Sequence, residues 1–158
     1  MSLNEIEVTM LDGKETTFAN LAKKVTLVVN VASRCGLSPQ YETLEAMQKK
    51  YGAKGFTVIG VPSNQFFQEL KTSDDISSYC STTWGVTFPM TEKAKLNGKG
   101  AHPLYKELTK VEDGEGKAGN VKWNFEKFLI LSNGEVHRFR PTTKPDAPEI
   151  ISLIEANL

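Results

Sequence analysis

Residues 28–41 read VVNVASRCGLSPQY, and this stretch decides the fold because an apolar run ends at a cysteine and a helix begins soon after it. The valine-rich first half predicts a buried strand, and Ser38 followed by Pro39 predicts a helix with a serine N-cap and proline in its first turn. Cys35 therefore lies between a strand end and a helix N-terminus, where free amide donors and the helix dipole favour a thiolate. Free cysteines are also often buried and inert, so both interpretations stay open at this point.

The chain has 158 residues with 19 basic and 19 acidic side chains, and we expect a single domain over residues 1–158. The even charge balance gives no support for binding nucleic acid or an anionic membrane. The first residues lack the pattern of a signal peptide, and no apolar run is long enough for membrane insertion, so we expect a cytoplasmic protein. Two cysteines, Cys35 and Cys80, are too few for a disulfide scaffold, and a bond between them would be transient and chemical.

Hydrophobic periodicity predicts a strand, a helix and a second strand around Cys35. Val25–Ala32 is almost continuously apolar, apolar positions recur at helical spacing from Pro39 to Tyr51, and Phe56–Val61 is a second apolar run. This order predicts a right-handed parallel βαβ unit.

Shorter elements complete the prediction. They are an N-terminal β-hairpin that turns at Asp12-Gly13, a helix that carries Cys80 and is capped by Ser73 or Asp74, a short helix after Pro103, a hairpin at Asn133-Gly134 and an amphipathic helix over Pro148–Leu158. Together the elements predict an α/β, thioredoxin-like fold in which helices flank a central mixed β-sheet.

Two features suggest cofactor or metal sites that the rest of the sequence does not support. Residues 114–119, GEGKAG, match the G-x-G-x-x-G string of dinucleotide-binding folds, but no apolar strand precedes them and no helix follows. We therefore interpret residues 109–120 as a flexible loop. His102 and His137 are isolated and form no metal-ligand spacing with the cysteines. We expect no cofactor and no bound metal.

Residues 35–38, CGLS, leave a different function open. They have the C-G-x-S form of monothiol glutaredoxins, which are also thioredoxin-like and can bind an iron–sulfur cluster with glutathione. The lack of a cysteine at position 38 argues against an ordinary C-x-x-C dithiol reductase.

Three separated segments favour a peroxidase. They are NVASRCGLSPQY at 30–41, PSNQF at 62–66 and WNFEKFL at 123–129. In this order they resemble the glutathione peroxidase family, and the likeness extends over nearly the whole chain. The resemblance implies a thiol peroxidase that reduces hydrogen peroxide and organic or lipid hydroperoxides, with an antioxidant role in the oxidative stress response.

The resemblance also implies a site in which Cys35 is the peroxidatic residue and Gln65, Trp123 and Asn124 surround it. The residue types fit this chemistry, because a thiolate must attack the peroxide and the departing oxygen must be stabilised and protonated. Amide and indole N–H groups can hold both the sulfur anion and the developing oxyanion. Taken singly, each of the three donors is better explained as a turn or core residue, whereas together, at strand ends that face the Cys35 loop, they favour the site.

Cys80 resembles the resolving cysteine of the non-selenium, thioredoxin-dependent branch. In that role it would attack the Cys35 sulfenic acid, form an intramolecular disulfide and release water, and thioredoxin would then reduce both sulfurs. Because Cys80 is expected on a helix, that helix must unwind or move before the sulfurs meet. The alternative is a buried helical cysteine without a redox role.

Several departures bear on substrate and partner. Phe67 and Leu70 stand where the family usually has a small residue and a proline, which should alter the rim of the site. The loop over 109–120 is shorter than the tetramer-forming insertion of oligomeric animal enzymes, so we expect a monomer that is open to bulky hydroperoxides. No basic cluster is dedicated to glutathione, which makes it the less favoured reductant. The competing functions are a monothiol glutaredoxin-like iron–sulfur or glutathione protein, and a redox sensor that passes oxidation to a partner.

Overall fold

The computed structural model describes residues 3–158, and the described chain begins with the predicted hairpin. Strand β1 (Glu7–Thr9) pairs antiparallel with β2 (Glu15–Thr17), and helix α1 (Phe18–Leu21) follows. Gly13 allows the turn, because its φ of +89° lies in the left-handed region that favours glycine.

The strand, helix and strand around Cys35 are confirmed. Strand β3 (Val25–Val31) leads through the cysteine loop to helix α2 (Gln40–Tyr51), and β4 (Phe56–Pro62) returns parallel to β3. Every residue of both strands is buried, as their apolar runs predict for strands covered on both faces. A 3-10 turn over Gly52–Lys54 and a left-handed Gly55 end the helix.

The start of α2 differs from its prediction. The Ser38 hydroxyl donates to the carbonyl oxygens of Ala32 at 2.8 Å and Ser33 at 3.2 Å, and it caps no helical amide. The predicted serine N-cap is wrong, because the carbonyls at the end of β3 take that hydroxyl. The two bonds tie both ends of the Cys35 loop together.

Cys80 lies beyond a regular helix. Helix α3 (Ser73–Tyr79) is capped by Thr72, whose hydroxyl accepts the Asp75 N–H at 3.1 Å, so the predicted caps one and two positions later are wrong. A π-helical turn over Cys80–Trp84 continues α3. Such wide turns are uncommon and are found often at functional sites.

The second half of the chain completes the mixed sheet. Helix α4 (Pro103–Leu108) precedes β5 (Lys127–Leu131) and β6 (Val136–Phe139), and α5 (Pro148–Asn157) ends the described chain. The strand order is β4-β3-β5-β6, with β5 antiparallel to both neighbours. The predicted mixed sheet and the hairpin at Asn133-Gly134 are confirmed.

Helices cover both faces of this sheet. Neighbouring residues of β3 point to opposite faces and enter two apolar clusters. Val29 shares one cluster with Tyr41 of α2 and Ile150 of α5, whereas Val28 shares the other with Leu104 of α4. No helix within residues 3–158 is long and apolar enough to cross a membrane.

Arg138 holds both ends of the loop over residues 109–120. The buried guanidinium of Arg138 forms an ion pair with Glu126 and donates to four loop carbonyls, those of Thr109, Val111, Gly119 and Asn120. These partners are far from Arg138 in sequence, so periodicity gives no sign of them.

Candidate active site

Cys35 is a free, buried thiol in the loop between β3 and α2. Its sulfur accepts a hydrogen bond from the Leu37 N–H at 3.3 Å, and its carbonyl accepts one from the Ser38 N–H at 3.0 Å. An amide donor pointed at sulfur favours negative charge there, which is the form that attacks a peroxide.

A hydrogen-bonded pair of amide side chains lies next to this loop. Asn124 is fully buried, and its Nδ2 donates to Oε1 of Gln68 at 3.0 Å. The backbone carbonyl of Gln68 accepts the backbone N–H of Arg34, the residue before Cys35, at 2.8 Å. Because Asn124 occupies the amide oxygen of Gln68, the Gln68 NH₂ group is the end left to donate to another partner.

The side chain of Gln65 bonds a different segment of the chain from Asn124. Its Oε1 accepts the backbone N–H groups of Leu96 at 2.5 Å and Asn97 at 3.2 Å. It lines a cavity of about 450 Å³ together with Lys93 and Lys95. The structure therefore pairs Gln68, not Gln65, with Asn124.

The path of the loop explains why Gln68, and not Gln65, bonds Asn124. The Phe67 N–H donates to the Asn64 carbonyl at 3.0 Å, so the chain turns between the two glutamines and sends their side chains to different partners. Both glutamines stand in the segment NQFFQE, and nothing in the residue types distinguishes them.

Trp123 lies at the surface of the site, with 38% of its area exposed. Its ring packs against Phe66 at a centroid distance of 5.4 Å. Asn30 holds the turn that carries it: its Nδ2 donates to the Trp123 carbonyl at 3.1 Å, and its Oδ1 accepts the Glu126 N–H at 3.0 Å. In the sequence, Asn30 stands out as a polar residue within the apolar run that predicts β3.

Glu69 ties the glutamine loop to the Cys35 loop. One carboxylate oxygen accepts the N–H and hydroxyl of Ser33 at 3.0 and 2.5 Å and the N–H of Leu70 at 2.8 Å. The other oxygen is buried and has no hydrogen-bond partner. Burial raises the pKa of the Glu69 carboxyl despite the donors from Ser33 and Leu70.

Cys80 belongs to the same apolar cluster as Cys35, and both thiols are free. Only 2% of Cys80 is exposed. Burial raises the pKa of its thiol to about 11, against a smaller lowering by the neighbouring Tyr41 hydroxyl, and the Glu69 carboxylate adds to the rise. In this closed conformation Cys80 is therefore a neutral thiol near pH 7, which is a poor nucleophile.

The site contains thiols, amides and aromatic rings. Within residues 3–158, His, Cys, Asp and Glu side chains form no group of three or more that could hold a metal ion. The GEGKAG segment lies in the loop fixed by Arg138, and no helix starts after it, so a pyrophosphate would find no helix N-terminus there.

Comparison with known proteins identifies the family. The glutathione peroxidase family model matches residues 3–109. The chain belongs to the glutathione peroxidase family. Among curated relatives of this family, "Thioredoxin/glutathione peroxidase BtuE" of Escherichia coli is 44% identical over 94% of this chain and 92% of its own length. "Hydroperoxy fatty acid reductase gpx1" of Synechocystis is 45% identical over 92% of this chain and 89% of its own length.

Solved structures agree with the family and the fold. The apo form of Trgpx is 38% identical, covers 99% of this chain and 98% of its own, and superposes with a TM-score of 0.74. A thioredoxin-like protein from Aeropyrum pernix is 13% identical, covers 98% and 89%, and has a TM-score of 0.65, which shows the fold alone. This glutathione peroxidase family member is a thiol peroxidase with a thioredoxin-like fold.

Proposed function

We propose that Cys35 is the peroxidatic cysteine of this peroxidase, that Cys80 resolves it, and that thioredoxin recycles the resulting disulfide. The observation that carries this proposal is the hydrogen bond between the Gln68 and Asn124 side chains, together with the backbone carbonyl of Gln68 that accepts the N–H of Arg34, the residue before Cys35. A prepared donor pair of this kind is what the breaking O–O bond requires.

In the first step the Cys35 thiolate attacks one peroxide oxygen. The S–O bond forms as the O–O bond breaks, and the departing oxygen takes a proton from water. Sulfur is thereby oxidised to sulfenic acid and the hydroperoxide is reduced to an alcohol, or to water from hydrogen peroxide. We assign the donors for the departing oxygen to the Gln68 amide and the Trp123 indole N–H. Asn124 acts as a positioning residue, because its side chain fixes the orientation of Gln68.

In the second step the Cys80 sulfur attacks the Cys35 sulfenic sulfur, and water leaves as the disulfide forms. A neutral, buried Cys80 thiol cannot do this in place, so the π-helical turn over Cys80–Trp84 must open first. Three exposed residues, Ser81, Thr82 and Thr83, follow Cys80 directly, which limits the apolar contact that opening would break.

Thioredoxin is the reductant we propose, and glutathione is the less favoured one. The name of the BtuE relative gives both, whereas we find no basic cluster within residues 3–158 that is dedicated to glutathione carboxylates. The name of the Synechocystis relative supports fatty-acid hydroperoxides as substrates of this chain too. We further propose a single-domain monomer in the cytoplasm, because the chain length fits one domain and the loop over residues 109–120 is short.

The decisive test measures peroxide consumption in two parallel assays. One contains thioredoxin and thioredoxin reductase, and the other contains glutathione and glutathione reductase. We expect sustained turnover with thioredoxin. The Cys35→Ser variant should consume no peroxide, and Cys80→Ser should be oxidised once without thioredoxin-coupled cycling. Sustained thioredoxin-driven turnover by Cys80→Ser would remove Cys80 from the cycle.

The other two functions lack a supporting observation. The family match does not favour the iron–sulfur alternative suggested by CGLS, and visible cluster absorbance without peroxide consumption would be needed to revive it. A redox sensor would use the same cysteines and differ only in passing the disulfide to a protein partner.

A further inference from the structure

Two large apolar side chains of the described residues are exposed, and both stand at this site. Phe67 is 88% exposed and Trp123 is 38% exposed. The Trp123 ring packs on Phe66 at 5.4 Å between centroids. We call Phe66, Phe67 and Trp123 the aromatic rim.

Folding does not explain Phe67. Its φ is +61°, in the left-handed region where a bulky side chain is strained and glycine is not. The ring buries little of its surface, so Phe67 combines a strained backbone with an exposed apolar side chain. A strained and exposed aromatic residue beside a reaction site suggests an interaction outside the folded chain.

The position of the rim indicates which interaction this is. Phe67 directly precedes Gln68, and Trp123 directly precedes Asn124, the two residues whose amides bond each other at 3.0 Å. The aromatic rim therefore adjoins the Gln68–Asn124 pair in both of the chain segments that contain these two residues. Hydrogen peroxide carries no substituent, but the carbon chain of an organic hydroperoxide must extend from the reacting oxygens past this border.

We propose that the aromatic rim binds the hydrocarbon chain of long-chain hydroperoxides, and that Phe67 sets the preference for them over hydrogen peroxide. This inference rests on the proposed peroxidase function. Aromatic rings offer large apolar areas, and covering part of one with methylene groups is favourable in water.

The test compares Phe67 variants in stopped-flow oxidation and in thioredoxin-coupled turnover. Phe67→Gly and Phe67→Asn remove the ring and tolerate the left-handed backbone, whereas Phe67→Leu is the matched control that keeps an apolar side chain. The substrates are hydrogen peroxide, tert-butyl hydroperoxide and linoleic acid hydroperoxide.

We expect the ratio of kcat/KM for linoleic acid hydroperoxide to that for hydrogen peroxide to fall about ten-fold in the glycine and asparagine variants, which equals about 1.4 kcal/mol. The loss should lie in KM for the long-chain substrate, the tert-butyl compound should fall between, and Phe67→Leu should keep the wild-type ratio. The melting temperature of Phe67→Gly should not fall, because glycine relieves the strained φ.

An unchanged ratio would overturn the proposal, whether the kcat/KM values stay at wild-type levels or fall equally on all substrates. A higher KM for thioredoxin with unchanged peroxide ratios would assign the surface to the reductant. If the wild-type chain consumes no hydrogen peroxide, the peroxidase function itself fails, whereas consumption without chain-length preference refutes the rim alone.

Discussion

Replacing Gln68 by alanine should slow oxidation of Cys35 far more than replacing Gln65. The substitution removes the donor that we assign to the departing oxygen, and loss of one such prepared donor costs about a hundred- to a thousand-fold in rate, or about 2.7–4 kcal/mol of barrier. It also removes the acceptor of Nδ2 of buried Asn124, whose Oδ1 already has no hydrogen-bond partner. This loss should lower the unfolding free energy by about 1–3 kcal/mol.

Gln65→Ala is the matched control. It removes an acceptor from the Leu96 and Asn97 amides and should lower stability without a specific loss of rate. Stopped-flow oxidation by hydrogen peroxide in a Cys80→Ser background gives the rate of the first step alone, and denaturant unfolding gives stability. A larger rate loss in Gln65→Ala than in Gln68→Ala would refute the assignment and make Gln65 the donor.

Two further predictions concern buried groups. Because burial raises the pKa of Cys80 from 9.0 to about 11, the closed turn should be fully stable below pH 9.0 and lose stability as pH rises toward 11. Iodoacetamide labelling of Cys80 in a Cys35→Ser variant, followed by mass spectrometry, should therefore be slow near neutral pH, and its rate should rise between pH 9.0 and about 11. Labelling as fast as that of a cysteine in a short peptide would contradict the closed state. Arg138→Met should cost about 3–5 kcal/mol in unfolding free energy, because it leaves the Glu126 carboxylate buried with one partner fewer. Adding Glu126→Gln should recover part of that loss in denaturant unfolding, and two independent, additive losses would argue against the pairing.

The sheet and its helices could be predicted because their patterns are long. Val25–Val31 and Phe56–Pro62 are apolar over whole strands, and α2 repeats its apolar positions over three turns. The turn at Asn133-Gly134 could also be predicted, because Asn and Gly tolerate the positive φ values of a tight hairpin turn.

Single polar contacts could not be predicted in the same way. Ser38 and Thr72 both have hydroxyls that could cap a helix, but the Ser38 hydroxyl instead bonds carbonyls at the end of β3, which only the folded chain brings near. Gln65 and Gln68 share one loop, and its turn at Phe67 decides which amide meets Asn124. Burial of Arg138 depends on carbonyls from a distant loop, so its residue type alone gives no sign of it.

Whether Cys35 and Cys80 form one catalytic cycle is tested most directly by non-reducing peptide mapping by mass spectrometry after one equivalent of hydrogen peroxide, with and without subsequent thioredoxin. We expect a Cys35–Cys80 disulfide in place of two free thiols, with full recovery of both thiols after thioredoxin. A Cys35 oxidised to sulfenic or sulfinic acid beside a Cys80 that remains a free thiol would contradict it.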